Sequence, residues 1–323
     1  MSELSRASHY QPDIQGLRAL AVILVIFYHS GLPGLPGGYI GVDVFFVISG
    51  YLITSLLLRE LARNDAISLP RFYARRFRRL LPAATLVLIV TTLTAWFVYS
   101  PLALKQFSSS AFATAIYLSN IWFAHLSTDY LAEDTAANPL LHTWSLGVEE
   151  QFYLFWPLIM MIAYRVYRSR PAHQRLTVVF VALAAISFAL EVWLTSYKQP
   201  WAFFGSPTRA WEFAAGGLLA LGFARGALLS RTLATALGWL GFFLICAAAV
   251  LLDRSTPFPG TAALLPVLGA SGLIAAAHTE RRIGMSALLA TRPLQLIGDL
   301  SYSLYLWHWP VFVFLAPASG EPD

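Results

Sequence analysis

LLHTWSLGVEEQFYLFWP, residues 140–157, places two acids and a serine inside an otherwise apolar span. Ser145, Glu149 and Tyr153 recur every four residues, so a helix carries them on one face, which Glu150 does not share. A carboxylate in hydrocarbon is costly unless something pairs or uses it, and this makes Glu149 a candidate functional group. Its partners must come from the rest of the chain.

Of the 323 residues, 57% are hydrophobic and 12% charged, and apolar runs recur from end to end. This patterning indicates an all-α polytopic membrane protein of about ten transmembrane helices and excludes a soluble domain. The net charge of +5 sits mainly on arginines between apolar runs, as in loops facing a cytoplasmic leaflet. No basic face with interleaved aromatics points to nucleic acid; membrane lipids are the expected surroundings. Cys246 is the one cysteine and lies in an apolar run, so no disulfide framework or redox chemistry is expected. No cleavage site follows the first apolar run, which reads as a retained helix.

That first run, residues 17–30, is too short to cross ~30 Å of hydrocarbon at ~1.5 Å per residue before GLPGLPGG interrupts it. Irregular backbone at membrane depth needs protein or water to satisfy its amides, so residues 31–38 are expected to line a cavity. Arg18 and His29 share nearly one helix face, about 16 Å apart along the axis. With Arg18 at the inner interface, His29 lies near mid-membrane; the plainer alternative is a helix-end histidine satisfied by a backbone carbonyl. Asp43 stands near the outer end of a second span, residues 38–58, as an anchor or as part of a site.

The linker RFYARRFRRLLP precedes a third span over residues 82–99. Seven arginines lie between Arg59 and Arg79, against Glu60 and Asp65. The positive-inside rule makes this loop cytoplasmic, and the N-terminus with it. Topology accounts for most of these arginines. Arg75, Arg76, Arg78 and Arg79 nevertheless form a dense cationic edge of the kind that holds phosphates bidentately, suiting a nucleotide or coenzyme donor. Residues 111–126 are only weakly apolar; the acidic stretch 129–134 reads as outside, while Arg165, Arg168, Arg170 and Arg175 read as inside. A re-entrant or doubled segment between residues 100 and 143 reconciles these signs with simple alternation. A local overruling of the charge bias is the alternative.

Further spans are expected at residues 176–193, 210–223, 233–252, 262–277 and 294–314. Arg209 and Glu212 lie one turn apart, either as an ion pair at the membrane edge or as part of a site, and Gly216 and Gly217 permit close helix approach. Glu191 invites the same two readings. In LSYSLYLWHWP, Tyr302, Tyr305 and His308 step by three along one face, setting polar tips on an apolar rod. No hydrolase elbow, metal-binding histidine pair or P-loop occurs, and no metal is expected. Two function classes remain. An enzyme would use a histidine and a carboxylate for hydroxyl attack on an activated ester or thioester. A proton-coupled transporter would use the same groups as a hopping chain, although its usual paired broken halves are not evident here.

Six motifs follow one another in order: YQPDIQGLRALAVILVIFYH, GGYIGVDVFFVISGYLIT, RFYARRFRRLLP, LLHTWSLGVEEQFYLFWP, TRAWEFAAGGLLA and LSYSLYLWHWP. Together they resemble the acyltransferase-3 family of bacterial membrane O-acyltransferases over essentially the whole chain, as one transmembrane domain spanning residues 1–323. The likeness is to the subgroup in which a further helix and an extracytoplasmic SGNH esterase-like domain follow; here only a polar tail, residues 317–323, follows the last span. The resemblance implies a multi-pass protein of the bacterial inner membrane. It implies an acyl-CoA donor, usually acetyl-CoA, taken from the cytoplasm. It implies as acceptor a hydroxyl of a surface polysaccharide such as O-antigen lipopolysaccharide or peptidoglycan, or the SGNH domain.

By the same resemblance His29 falls on the family's first-helix histidine, Arg76 and Arg79 on its arginine motif, Glu149 on its glutamate and His308 on its last-helix histidine. Arg18, Asp43, Arg209 and Glu212 also match motif positions. His29 is assigned as general base or transient acyl acceptor, Glu149 as its orienter or proton partner, and Arg75 to Arg79 as the phosphate-binding edge. Ser145, Tyr153, Tyr302 and Tyr305 are placed as support around them.

Overall fold

The structure, a computed structural model, describes residues 11–128, 138–166, 171–224, 226, 228–279 and 282–315. The acidic stretch 129–134, Arg168, Arg170 and the tail 317–323 lie outside the described residues. The helices are α1 (Pro12–His29), α2 (Gly41–Asn64), α3 (Leu69–Val98), α4 (Pro101–Ala115), α5 (Ser119–Leu126), α6 (Thr143–Arg165) and α7 (Ala172–Tyr197). They continue as α8 (Gln199–Phe204), α9 (Ser206–Phe223), α10 (Arg231–Leu251), α11 (Leu264–Ala276), α12 (Gly284–Leu289) and α13 (Arg292–Leu315). No strand occurs among the described residues.

Among the described residues, five helical segments are long and apolar enough by length and composition to cross a bilayer: Pro12–His29, Gly38–Asn64, Leu69–Val98, Ala172–Tyr197 and Arg231–Leu251. The 23 residues of α6 and 24 of α13 are as long, but polar side chains interrupt them. On α3, Leu86, Ile89, Leu93 and Phe97 stay exposed, as do Val178, Val181 and Ile186 on α7. Exposed apolar rows of this kind are what hydrocarbon solvates, and both helices sit at the outside of the bundle.

At its centre, α2 packs against α9, and α1 against α13. A side-chain carbon at Gly50 would come within 2.0 Å of the Phe213 carbonyl oxygen, and one at Gly216 within 2.0 Å of that of Val47. Only glycine lets these two backbones approach so closely. Aromatic rings tie α6 into the same core: Phe152 stacks on Phe213 with centroids 4.1 Å apart, and Phe213 on Phe46 at 4.6 Å. These contacts fix the rotation of α6 and hence the direction of its polar face.

Three sequence expectations change. The first helix begins at Pro12, whose fixed φ suits a helix start, so α1 has 18 residues and a length of about 27 Å. Residues 31–34 are exposed turns, not a cavity wall; only Gly37 and Gly38 are buried, with the Gly37 amide donating to Ala249 O at 2.9 Å. The arginine linker is itself helical: α3 starts at Leu69 and carries Pro82 inside it, making 30 residues or about 45 Å, longer than the hydrocarbon. Its basic first turns therefore extend beyond the apolar slab.

Tyr99 at the end of α3 meets Phe314 near the end of α13, and His142 at the start of α6 meets His308 on α13, so α6 starts at the end of the bundle where α3 stops, as a re-entrant or doubled segment requires. In between, α4 and α5 are joined at Tyr117, which takes φ +56° to turn the chain. The opposite end gathers the arginines and the contact between Tyr164 of α6 and Asp65 after α2.

Candidate active site

Helices α1, α2, α3, α6 and α13 enclose a cavity of about 430 Å³. At the arginine end its lining is cationic, with Arg18 from α1, Arg59 from α2, and Arg75, Arg76 and Arg79 from α3. At the other end, α6 contributes Ser145, Glu149 and Tyr153 together, and α13 contributes Tyr302 and Tyr305. The four-residue recurrence thus becomes a polar stripe facing a chamber.

Glu149 accepts hydrogen bonds from the Ser49 hydroxyl and the Tyr153 phenol, which lie 3.2 Å from each other. The Arg76 guanidinium stands 4.7 Å from the centroid of the Tyr153 ring, connecting the cationic rim to the carboxylate through one phenol. Arg75 lies 3.6 Å from Glu60 and Arg18 donates to Gln15 at 3.0 Å, which orients both side chains along the lining.

Tyr305 closes the inner end of the chamber. Its hydroxyl lies 2.6 Å from Ser145 Oγ and donates to the His142 carbonyl at 3.0 Å, so α13 is cross-linked to the start of α6. Both side chains are buried. Beyond this closure lie three histidines. His29 Nδ1 is 3.0 Å from His308 Nε2, and His308 Nδ1 is 2.7 Å from the Tyr305 carbonyl. A carbonyl only accepts, so a neutral His308 carries its proton on Nδ1, its Nε2 accepts from His29 Nδ1–H, and His29 Nε2 keeps a free lone pair. That is the tautomer a general base or nucleophile needs. Trp309 packs on the His29 ring at 4.6 Å between centroids and donates to Asn138 O at 2.8 Å.

A second buried polar group supports the first from α2, α7 and α9. Arg209 Nη2 lies 2.7 Å from Asp43 Oδ1, and Nη1 lies 3.0 Å from Glu212 Oε1 and 3.6 Å from Glu191 Oε2. All four side chains are at most 1% exposed, and Trp211 Nε1 donates to Glu191 at 3.0 Å. Neither Asp43, Arg209 nor Glu212 lines the chamber. They lock three helices together at its flank.

The structure therefore gathers Arg18, Arg75, Arg76, Arg79, Ser145, Glu149, Tyr153, Tyr302 and Tyr305 around one cavity, and His29 with His308 beside it. Arg78 is exposed and off the lining, because it sits on the other side of α3 from Arg75, Arg76 and Arg79. The ring of His29 pairs with His308, while the hydrogen bonds of the Glu149 carboxylate go to Ser49 and Tyr153. Two residues were missed. Ser49, inside an apolar span ahead of Gly50, gave only the weak signal of a hydroxyl in hydrocarbon. His142 stands one residue before α6, outside the four-residue recurrence that marks Ser145, Glu149 and Tyr153. It is buried against the rings of His308 and Tyr305, and neither of its ring nitrogens has a hydrogen-bond partner among the described residues.

Comparison with known proteins gives a consistent result. A family profile described as an acyltransferase domain matches residues 11–322. The O-acetyltransferase OatA of Staphylococcus aureus (strain NCTC 8325 / PS 47) is 36% identical over 312 residues, covering 95% of this chain and 51% of that protein. The peptidoglycan O-acetyltransferase OatA of Listeria monocytogenes is 33% identical over 319 residues, 95% of this chain and 50% of that protein. The chain spans about half the length of these curated relatives. No solved structure matches.

Proposed function

Because the chain belongs to the acyltransferase-domain family, we propose that it passes an acetyl group from cytoplasmic acetyl-CoA toward a hydroxyl of a cell-surface polysaccharide. The acceptor class taken from its relatives is peptidoglycan. The arginine end faces the cytoplasm of a bacterial inner membrane, with the N-terminus on that side, by the positive-inside rule. The coenzyme's phosphates sit on Arg18, Arg75, Arg76 and Arg79, and its thioester arm runs toward Glu149, Ser145 and Tyr305.

Transfer follows from the histidine pair. His29 Nε2 takes the proton of the attacking hydroxyl as its oxygen bonds to the acetyl carbonyl carbon; the carbon–sulfur bond breaks and coenzyme A leaves as the thiol, taking up a proton. His308 holds the base in the productive tautomer, as an acceptor anchored on a backbone carbonyl. Since Ser145 and Tyr305 stand between chamber and histidines, their contact must part for the acetyl group to advance. The acceptor that finally carries the ester is the glycan itself or an extracytoplasmic esterase-like domain.

The observation that carries this reading is the pairing of His29 with His308 behind a chamber lined by arginines. Mass spectrometry of surface glycans tests it in cells. Deleting the gene should remove acetyl esters that the parent gene restores and His29→Ala does not; unchanged ester content after deletion would overturn the proposal. The rival reading, a proton-coupled transporter, predicts a pH-gradient-driven flux in liposomes that needs no coenzyme A.

A further inference from the structure

A second cavity of about 630 Å³ opens at the arginine end, between α2, α6, α7, α9 and His278 just after α11. Arg59 lines both cavities. It is exposed, and it has no carboxylate partner among the described residues. A hydrogen-bonded file divides the two spaces: the Gln11 amide, which lines the first, donates to the Tyr51 hydroxyl at 3.3 Å, and Tyr51, which lines the second, donates to His278 Nε2 at 3.2 Å. His278 Nδ1 donates in turn to Ile274 O at 3.1 Å, so its ring is fixed. Phe223 stacks on that ring with centroids 3.7 Å apart and planes 15° from parallel.

The chemistry of this second space differs from that of the first. No acidic side chain lines it among the described residues, its walls carry the rings of Tyr51, Phe223 and His278, and Ser55 offers a hydroxyl. Flat aromatic walls, a few hydrogen-bonding groups and a cation at the shared edge suit a nucleobase tethered to phosphates. Resting on the donor reading above, we propose that this cavity seats the adenine end of the acyl-CoA donor, which bends over Arg59 so that its thioester arm enters the arginine-lined chamber. The two cavities then divide one ligand, base in one and acyl arm in the other.

Equilibrium binding to the purified, detergent-solubilised chain tests this, with coenzyme A and phosphopantetheine as probes; the latter keeps the arm and lacks the adenosine end. The parent should bind coenzyme A at least about tenfold more tightly than phosphopantetheine, the scale of one stacked base. Phe223→Ala removes a wall, and Ala224→Trp fills the cavity from an exposed rim position where folding is least at risk. Both should weaken coenzyme A roughly tenfold while leaving phosphopantetheine unchanged. Equal weakening of both probes, or of neither, in variants that melt like the parent would overturn the adenine subsite. Absence of coenzyme A binding by the parent would overturn the donor reading on which it stands.

Discussion

His29 Nδ1 and His308 Nε2 lie 3.0 Å apart although 279 positions separate them in the chain. The contact joins the end of the first helix to the last one, and a backbone carbonyl behind His308 sets the direction of every proton in the file. If His308 acts by holding that tautomer, His308→Ala should lower turnover about a hundredfold. His308→Gln, whose side-chain oxygen still accepts from His29, should recover part of it. Activity should also fall on the acid side, because protonated His29 has no lone pair at Nε2. Equal activity of the alanine and glutamine variants would reject the orienting role.

The cationic rim makes a salt-dependent prediction. Arg76→Ala with Arg79→Ala should raise KM for acetyl-CoA roughly tenfold at low ionic strength, with the gap narrowing as salt screens exposed phosphate pairs. Arg78→Ala, on the side of α3 away from the chamber, should leave KM near the parent value. Equal effects at all three positions would mean that the arginines act through topology alone.

Glu149 is held by two donors and gives a stability prediction. Glu149→Leu removes the shared acceptor of the Ser49 and Tyr153 hydroxyls, which can then bond only to each other and leave one donor unpaired, and should destabilise the protein by about 1–3 kcal/mol. Glu149→Gln keeps an acceptor in place and should melt closer to the parent while losing activity. Thermal unfolding in detergent beside turnover separates these outcomes; a Glu149→Leu variant that melts like the parent would contradict the network.

Arg209 answers three carboxyl groups at once. Its removal leaves them buried without a counter-charge, a change that typically costs about 3–5 kcal/mol. Arg209→Ala should therefore express poorly and melt far below the parent, whereas Glu212→Gln, which leaves the 2.7 Å pair with Asp43 intact, should lose much less. A stable Arg209→Ala variant lacking only activity would move this cluster from support into the chemistry.

What the sequence made legible was what depends on period and charge. Ser145, Glu149 and Tyr153 share a face because a helix repeats, and the arginines before Pro82 mark one end of the bundle because charged side chains avoid hydrocarbon. The signs of the flanking charges left two readings of residues 100–143 open, a re-entrant or doubled segment and a local overruling of the charge bias. Partnerships across the chain were beyond that reach: nothing local tells His29 that it meets His308 and not Glu149, or tells Glu149 that it meets Ser49. Residues 31–34 differ from the expectation because α1, which begins at Pro12, carries this broken backbone past membrane depth to an exposed end.

The central claim is that the free lone pair of His29 acts on an acetyl group delivered by coenzyme A. Single-turnover reaction of the reconstituted chain with labelled acetyl-CoA and a glycan acceptor measures it directly, with parent and His29→Ala matched for folding and coenzyme A binding. The account predicts acceptor-dependent release of coenzyme A thiol by the parent and its loss in the variant. Transfer by His29→Ala at the parent rate would contradict it.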